Sequence, residues 1–265
     1  MESIRKLLYE GSKINPIFDP TSTPEYIPAP LVIDLTIDVT NYTRIYHNNP
    51  DEVGDLLGQA DAIVCDNEAL VHIVRRCGVK GLIFSAPFGY CPTQDREQEG
   101  IMVGLLNHSA DQVINNNMAR QMLKKLGETF LIYGDPIDGL EYELVEDFQD
   151  FAARCDVLVL PSARNSLNSL TAPLSVMMAG CAMIAANVGS YAGLGVSVGV
   201  RLVDPKATAR VWKSTLDEVQ RDIRRLETFK RFNAGYASKT SKESLAKITK
   251  LEARLQRVQA LMPAA

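Results

Sequence analysis

The sequence predicts an α/β protein built from two doubly wound parallel sheets. Short apolar runs alternate with helical patterns along most of the chain, which is typical of parallel βαβ units. A polar, turn-rich run at residues 88–100, FGYCPTQDREQEG, divides the alternation into two series. With 265 residues, of which 46% are hydrophobic and 23% charged, the chain is long enough for one large or two small globular domains.

The first series follows an irregular amino-terminal segment. Four prolines within residues 1–28 exclude a long helix there. LVIDLTID, at residues 31–38, is the first predicted strand, because its apolar residues include the β-branched types that favour sheets. The other elements predicted for this series are a helix from Asn49 to about Gln59, a strand at 61–66, a helix at 67–78 with Asn67 as its N-cap, and a strand at 81–87.

The second series is longer and ends in a polar helical region. Its predicted elements are a strand at 101–107, a helix at 110–127, a strand at 129–134, a helix at 145–155, a strand at 157–161, a helix at 168–180, and strands at 181–188 and 198–204. From Pro205 onward the pattern is helical and polar. We therefore predict three parts, which are a shortened α/β domain at 1–95, a Rossmann-like domain at 96–205 and basic helices at 206–265.

The net charge of −4 hides an uneven distribution of charge. Residues 206–257 hold 14 Lys and Arg against 6 Asp and Glu. Such a basic region attracts phosphates on nucleic acid, on lipid or on another chain. The alternative is the solvated face of long amphipathic helices.

Several protein classes are excluded by composition. The five cysteines form no C-x-x-C pair and the three histidines show no ligand spacing, so we predict reduced cysteines and no metal site. No apolar run reaches the roughly 20 residues of a membrane span, and the N-terminus lacks a signal-peptide core. A cytoplasmic protein is expected.

The candidate site is the loop between the strand at 157–161 and the helix that follows it. Ligands of open α/β sheets bind beyond the carboxyl ends of the strands. Between Ser162 and Ser169 this loop holds five small Ser and Asn side chains and one arginine. A helix N-terminus offers N–H groups to an anion, and small side chains let the anion approach. The alternative is that these residues are only N-caps and turn formers.

The motifs of the second series resemble those of GT-B glycosyltransferases, in particular the retaining group 1 family that uses nucleotide sugars. The family's aspartate, buried strand and Pro-Ser pair match DVLVLPS at 156–162, and its helix end, strand and glycine match MMAGCAMIAANVG at 177–189. IMVGLLN at 101–107 and FLIYGD at 130–135 resemble earlier strands of the donor-binding domain. The resemblance spans residues 29–205 and implies a GT-B-like fold of two facing Rossmann-like sheets, the first of them truncated.

The sequence also departs from the family. Asn165 and Ser175 stand where the family has two glutamates. The basic residues that usually grip the donor diphosphate after the first strand are replaced by Asn107-His108-Ser109. The acceptor-side domain lacks its first strands and their Gly-rich loop. These losses leave open a non-catalytic GT-B-like protein that binds a nucleotide or a partner.

Candidate site residues follow from the resemblance and from the chemistry of a nucleotide-sugar donor. Arg164 is predicted to hold the diphosphate, Asn165 and Ser166 to bond sugar hydroxyls, and Ser175 to reach a ribose hydroxyl. The full set of predicted donor contacts is Gly104, Asn107, Gly134, Asp135, Ser162, Arg164, Asn165, Ser166, Ser169, Leu170, Thr171 and Ser175. The predicted catalytic residues are His108, as a donor to phosphate, and Asp38 and Asp66, as strand-end bases for an acceptor hydroxyl or as caps.

The predicted function is glycosyl transfer from a nucleoside-diphosphate sugar to an acceptor hydroxyl. The resemblance implies retention of configuration, which suits a chain in which neither strand-end acid stands out as a nucleophile. No cofactor is required. One alternative keeps this chemistry but takes DNA as the acceptor, as viral hydroxymethyl-base glucosyltransferases do. In that case the basic region 206–257, with Phe229, Phe232 and Tyr236 interleaved, would follow the phosphate backbone.

Overall fold

The computed structural model divides the chain into two compact units, each with its own parallel sheet. One unit comprises Met1–Phe88 with Thr240–Ala265, and the other comprises Gly89–Lys239. The domain bounds predicted from the sequence, at residues 95 and 205, remain a prediction. The described residues are 32–35, 57–58, 62–87, 89, 100–107, 121, 124, 130–137, 139, 141–162 and 170–261.

The described elements alternate between strands and helices over most of the chain. In chain order they are β1 (Val32–Leu35), β2 (Ala62–Cys65), α1 (Glu68–Arg76), β3 (Leu82–Ser85), β4 (Val103–Asn107), β5 (Leu131–Gly134), β6 (Glu143–Val145), α2 (Phe148–Arg154), β7 (Val157–Leu160), α3 (Thr171–Met178), β8 (Ala182–Ala186), a 3₁₀ helix (Gly189–Val196), β9 (Val200–Val203), α4 (Ala209–Gln220) and α5 (Ile223–Leu261).

The first sheet is the smaller of the two, as the sequence predicts. Its described strands lie in the order β1-β2-β3 and pair in parallel, with Ile63 of β2 opposite Ile33 and Ile83. Helix α1 connects β2 to β3, and the Asn67 side chain caps it by accepting the N–H of Leu70 at 2.9 Å. The N-cap predicted at Asn67 is confirmed.

The carboxyl-terminal part of α5 packs on this first sheet. Ile248 and Leu251 are buried in one apolar cluster with Ala62, Val64 and Ala86. On the same helix Lys247 donates to the Ser85 carbonyl at 3.0 Å, and Ser244 donates to the Pro87 carbonyl at 2.5 Å. The carboxyl-terminal part of the basic region is therefore part of the core of the first unit.

The second sheet has six described strands in the order β6-β5-β4-β7-β8-β9, all of them parallel. Residues of α4 and α5, among them Trp212, Leu216 and Phe229, belong to one apolar cluster of the sheet. Residues of α2 and α3, among them Phe151 and Leu174, belong to the other. Because successive side chains of a strand point to opposite faces, both faces of this sheet are buried. The doubly wound α/β class is confirmed for this unit.

Asp156 fastens the amino ends of the two central strands. Its side chain is 5% exposed and accepts the N–H of Met102 at 2.8 Å, just before β4. The ammonium of Lys230, on α5, lies 3.1 Å from its other oxygen. A buried carboxylate needs such partners to offset its lost hydration. The aspartate of the DVLVLPS motif therefore joins β4, β7 and α5.

Asn233 fastens α5 to the amino ends of β8 and β9. The residue is fully buried, and its Nδ2 donates to the carbonyls of Cys181 at 2.8 Å and Gly199 at 3.1 Å. Its Oδ1 accepts the hydroxyl of Ser197 at 2.6 Å. A Cβ at Gly199 would lie 2.4 Å from this Oδ1, so the helix approaches the strand too closely for any side chain there.

The structure of this unit differs from the sequence prediction in four details. Strand β6 was not predicted, and the helix expected from residue 145 begins at Phe148, with Asp147 accepting the N–H groups of Gln149 and Asp150. The 3₁₀ helix Gly189–Val196 was not predicted either, because its three glycines disfavour helix. Helix α3 begins at Thr171, three residues later than expected.

None of the four described cysteines forms a disulfide bond. Cys155 and Cys181 are both buried, with their sulfur atoms 3.5 Å apart. Burial raises the pKa of the Cys181 thiol well above its usual range. The Cys181 thiol is therefore protonated at neutral pH, and the two side chains act as small apolar packing between α2 and β8.

Gly104, predicted as a donor contact, packs closely against α2. A Cβ at this position would lie 2.5 Å from Cys155 Sγ and 2.9 Å from Phe151 Cζ. Strand β4 needs glycine here because the helix lies too close for a larger residue. The observed neighbours of Gly104 are core side chains, and its contact with a donor remains a prediction.

We expect Asn233→Ala to lower the free energy of unfolding by about 2–4 kcal/mol, because it leaves buried carbonyls without their donor. Urea denaturation measures the change. Arg231→Ala, an exposed position two residues away on the same helix, is the control and should stay within about 0.5 kcal/mol of the parent. Equal losses in the two variants would show that Asn233 does not anchor the helix.

A pair of glycine substitutions tests the close approach at β4. Gly104→Ala should destabilise the protein by about 1–3 kcal/mol through overpacking. Gly235→Ala lies on α5 with no heavy atom within 4 Å of the added Cβ, and it should stabilise the protein by about 0.5–1 kcal/mol. Thermal and urea unfolding report both signs. A neutral or stabilising Gly104→Ala would contradict the packing described for β4.

Candidate functional site

The order of the strands creates a switch point in the second sheet. From β4 the chain moves outward to β5 and β6 and then returns to β7, on the other side of β4. The connection that leaves β4 therefore runs to one side, toward β5, and the connection that leaves β7 runs to the other side, toward β8. An open α/β sheet binds its ligands in the crevice between two such connections. Asn107 ends β4, and Pro161 and Ser162 follow β7. The stretch predicted as the site thus begins at the switch point.

Asn107 joins the carboxyl ends of β4 and β5. Its side chain is almost fully buried and donates to the Asp135 carbonyl at 2.6 Å. In return the Asp135 N–H donates to the Asn107 carbonyl at 2.5 Å. Gly134, opposite Asn107 in the ladder, has a φ of +105°, which favours glycine. Three of the predicted donor contacts, Asn107, Gly134 and Asp135, are therefore held side by side.

Ser162 and the start of α3 form the other side of the switch point. Ser162 is 3% exposed, and its N–H donates to the Leu160 carbonyl at 2.9 Å. Helix α3 begins at Thr171, and its N-cap residue, Leu170, makes no side-chain capping bond. A helix N-terminus thus follows the strand end at the switch point, and an apolar residue occupies its N-cap.

Ser175 lies one turn into α3, where it is fully buried. Its hydroxyl donates to the Thr171 carbonyl at 2.7 Å, a bond within the helix that serine often makes. This bond gives the residue a partner in the protein itself. The ribose contact of Ser175 remains a prediction.

Asp66 lies in the first unit, immediately after β2. It is fully buried, and its Oδ2 accepts a long hydrogen bond, 3.5 Å, from Asn67 Nδ2. Asn67, and not Asp66, caps the helix that follows. The role of Asp66 as a base for an acceptor hydroxyl remains a prediction.

Six predicted site residues lie outside the described residues, so their roles remain predictions. They are Asp38, His108, Arg164, Asn165, Ser166 and Ser169.

The aromatic residues of the basic region differ in exposure. Phe229 is 4% exposed, and the Arg201 guanidinium lies 4.5 Å from its ring centroid. Tyr236 is partly buried against an apolar cluster, whereas Phe232 is 54% exposed. Of the three rings expected to lie along a nucleic acid, Phe232 is the one with a largely exposed face.

Two negative findings apply to the described part of the chain. No group of three His, Cys, Asp or Glu side chains is arranged to hold a metal ion there. The described helices include none with the length and hydropathy that crossing a membrane requires.

The chain resembles solved glycosyltransferase structures, although its sequence matches no family model and no curated protein. HepE from Anabaena, solved with UDP and glucose, aligns with a TM-score of 0.67 and 14% identity over 83% of this chain and 71% of HepE. Sucrose-phosphate synthase from Thermosynechococcus elongatus aligns with a TM-score of 0.68 and 14% identity over 88% and 70% of the two chains.

A trehalose-6-phosphate synthase aligns as well, with a TM-score of 0.58 and 11% identity over 84% of this chain and 68% of that enzyme. These neighbours are GT-B glycosyltransferases. At such identities the likeness concerns the fold. The protein therefore has a GT-B-like α/β fold, as its sequence motifs predict.

Proposed function

We propose that the protein transfers a sugar from a nucleoside-diphosphate sugar to an acceptor hydroxyl. The observation that carries this proposal is the switch point of the second sheet, where Asn107 ends β4, Ser162 follows β7 and α3 begins beyond them. The GT-B-like fold supports the proposal, since HepE, a neighbour with the same fold, has been solved with UDP-glucose. Residues 96–205 are proposed as the donor-binding domain and residues 1–95 as the acceptor side.

Each part of the donor meets a different group in this proposal. The N–H groups at the start of α3 and the Arg164 guanidinium hold the diphosphate and stabilise the charge of the leaving group. Asn165 and Ser166 bond the sugar hydroxyls. The turn at Gly134 and Asp135, which Asn107 holds in place, faces the nucleobase. Ser175 is assigned to the ribose and His108 to the phosphate.

Retention of configuration is part of the proposal. The trehalose-6-phosphate synthase neighbour is described as transferring its sugar with retention. Asp38 and Asp66 are proposed to orient the acceptor hydroxyl and to take up its proton. No protein nucleophile and no metal ion are assigned, because the charge that develops on the diphosphate is met by helix N–H groups and Arg164.

A thermal-shift panel tests donor binding. UDP, GDP, ADP and dTDP and their glucose conjugates are added separately, because a ligand that binds the folded state raises its melting temperature by mass action. We expect one base to give a concentration-dependent rise. A transfer or hydrolysis assay with that nucleotide sugar then separates an enzyme from a protein that only binds. A panel without any shift would contradict the proposal.

The first variant to test is Ser169→Glu. An acid at this place adds negative charge where the diphosphate is expected, so nucleotide binding should be lost. The same change should stabilise the free protein by about 0.3–1 kcal/mol, because an acid near a helix N-terminus interacts favourably with the helix dipole. Calorimetric titration and urea denaturation measure the two effects. Unchanged nucleotide affinity would show that the loop before α3 only caps the helix and does not bind the diphosphate.

Arg164 is tested by two substitutions. Arg164→Ala should weaken nucleotide binding by about 2–3 kcal/mol, with little change in stability, because a charge-assisted hydrogen bond to phosphate is lost. Arg164→Lys should restore only part of the affinity, because an ammonium lacks the planar fork of a guanidinium. If Arg164→Ala lowers the unfolding free energy and leaves affinity unchanged, the residue is structural.

A further inference from the structure

A pocket lies at the carboxyl edge of the second sheet, beyond β8 and β9. Its volume is about 480 Å³, within the range of roughly 300–1,000 Å³ that is usual for small-molecule sites. Asn187, Val188 and Gly189 line it after β8, and Asp204, Pro205 and Lys206 line it after β9. None of these residues belongs to the set assigned to the nucleotide-sugar donor. The function of this pocket is therefore a separate question.

The walls of this pocket are fixed by hydrogen bonds within the protein. The Asn187 N–H donates to the Val203 carbonyl at 2.8 Å, which extends the pairing of β8 with β9 by one residue. On the other wall the Lys206 N–H donates to Asp204 Oδ1 at 2.7 Å. Val188 is 6% exposed and belongs to the apolar core. The backbone of these walls is thus held in place before a ligand binds, although the Asn187, Asp204 and Lys206 side chains are exposed.

The polar groups of the pocket differ in what they can bond. A carboxylate only accepts hydrogen bonds, an ammonium only donates them, and an amide does both. In the described part of the chain no ion pair joins Asp204 to Lys206. Asp204 Oδ1 accepts the Lys206 N–H, so Asp204 Oδ2 and the Lys206 ammonium are the charged groups available to a ligand. An anion would meet the carboxylate and a cation would meet the ammonium. The lining favours a neutral ligand with several groups that both donate and accept.

A sugar ring has these properties. Each hydroxyl donates one hydrogen bond and accepts others, and the C–H groups of the ring can pack on the half-buried Pro205. A planar base is a poorer fit, because none of the six described lining residues is aromatic. We propose that this pocket binds the ring of a neutral sugar, independently of the nucleotide-sugar donor.

Trp212 provides a direct reporter for the test. It is the single tryptophan of the sequence, it is almost fully buried, and it belongs to the same apolar cluster as Val188. The protein, without nucleotide, is titrated with methyl α-glucopyranoside, methyl α-galactopyranoside and methyl N-acetyl-α-glucosaminide. We expect a saturable change of tryptophan emission with at least one of them, and saturation-transfer NMR on that sugar with the same affinity. No saturable binding of any of the three would overturn the proposal.

Variants then locate the binding. Asp204→Asn keeps an oxygen for the Lys206 N–H but removes the charge, and it should weaken sugar binding about tenfold or more. Lys206→Met should act in the same direction. Arg210→Met, an exposed position outside the lining, is the matched control and should bind as the parent does.

Ser169→Glu separates this proposal from the proposed function. If this variant keeps its affinity for the sugar, the pocket is separate from the donor turn, the proposed donor-binding loop at residues 162–171. This conclusion holds whatever the variant does to nucleotide binding. If Ser169→Glu loses sugar binding while Asp204→Asn retains it, the sugar binds at the donor turn and the proposal is wrong.

Discussion

The parallel pairing of β4 with β7 is the interaction on which the second unit depends. The two strands are the centre of the six-stranded order, and their side chains are buried on both faces. At their amino ends Asp156 binds both Met102 and Lys230. Because this contact fixes the register at one end, the opposite ends meet at the switch point, with Asn107 on one strand and Ser162 after the other.

Stability and function are consequently assigned to opposite edges of this sheet. The amino edge carries the buried polar contacts that fasten α5, with Lys230 on Asp156 and Asn233 on Cys181 and Gly199. The carboxyl edge carries the proposed donor-binding loop, residues 162–171, and the pocket after β8 and β9. Side chains at the amino edge bond other groups of the protein, so a substitution there lowers the free energy of unfolding. At the carboxyl edge Asn107 also bonds backbone, and the ligand contacts are proposed for the loop that follows Ser162.

The strands of the second unit were predictable because buried strands are apolar throughout. Its helix starts were less so, since Leu170 before α3 and Thr208 before α4 make no side-chain capping bond. The short edge strand β6 was not, since two of its three residues are exposed and their pattern carries no alternation signal. Nor could the sequence show that Asp156 and Asn233 bind distant backbone, because these contacts span 54 and up to 52 residues of chain. At the candidate site, the strand ends and glycines of the sequence were enough to predict that polar groups lie together at the carboxyl ends of β4, β5 and β7. They did not distinguish Gly104, which packs against α2, from Gly134, which ends a strand at the switch point.

The most direct test of the account is amide NMR of the labelled protein during titration with the nucleoside diphosphate that gives the largest thermal shift. The account predicts that the perturbed amides centre on the switch point, at Asn107, Asp135, Ser162 and Thr171, while those of Gly199 and Asn233 at the opposite edge stay unchanged. Saturable binding whose perturbed amides centre on the amino edge, or on the first unit alone, would contradict it.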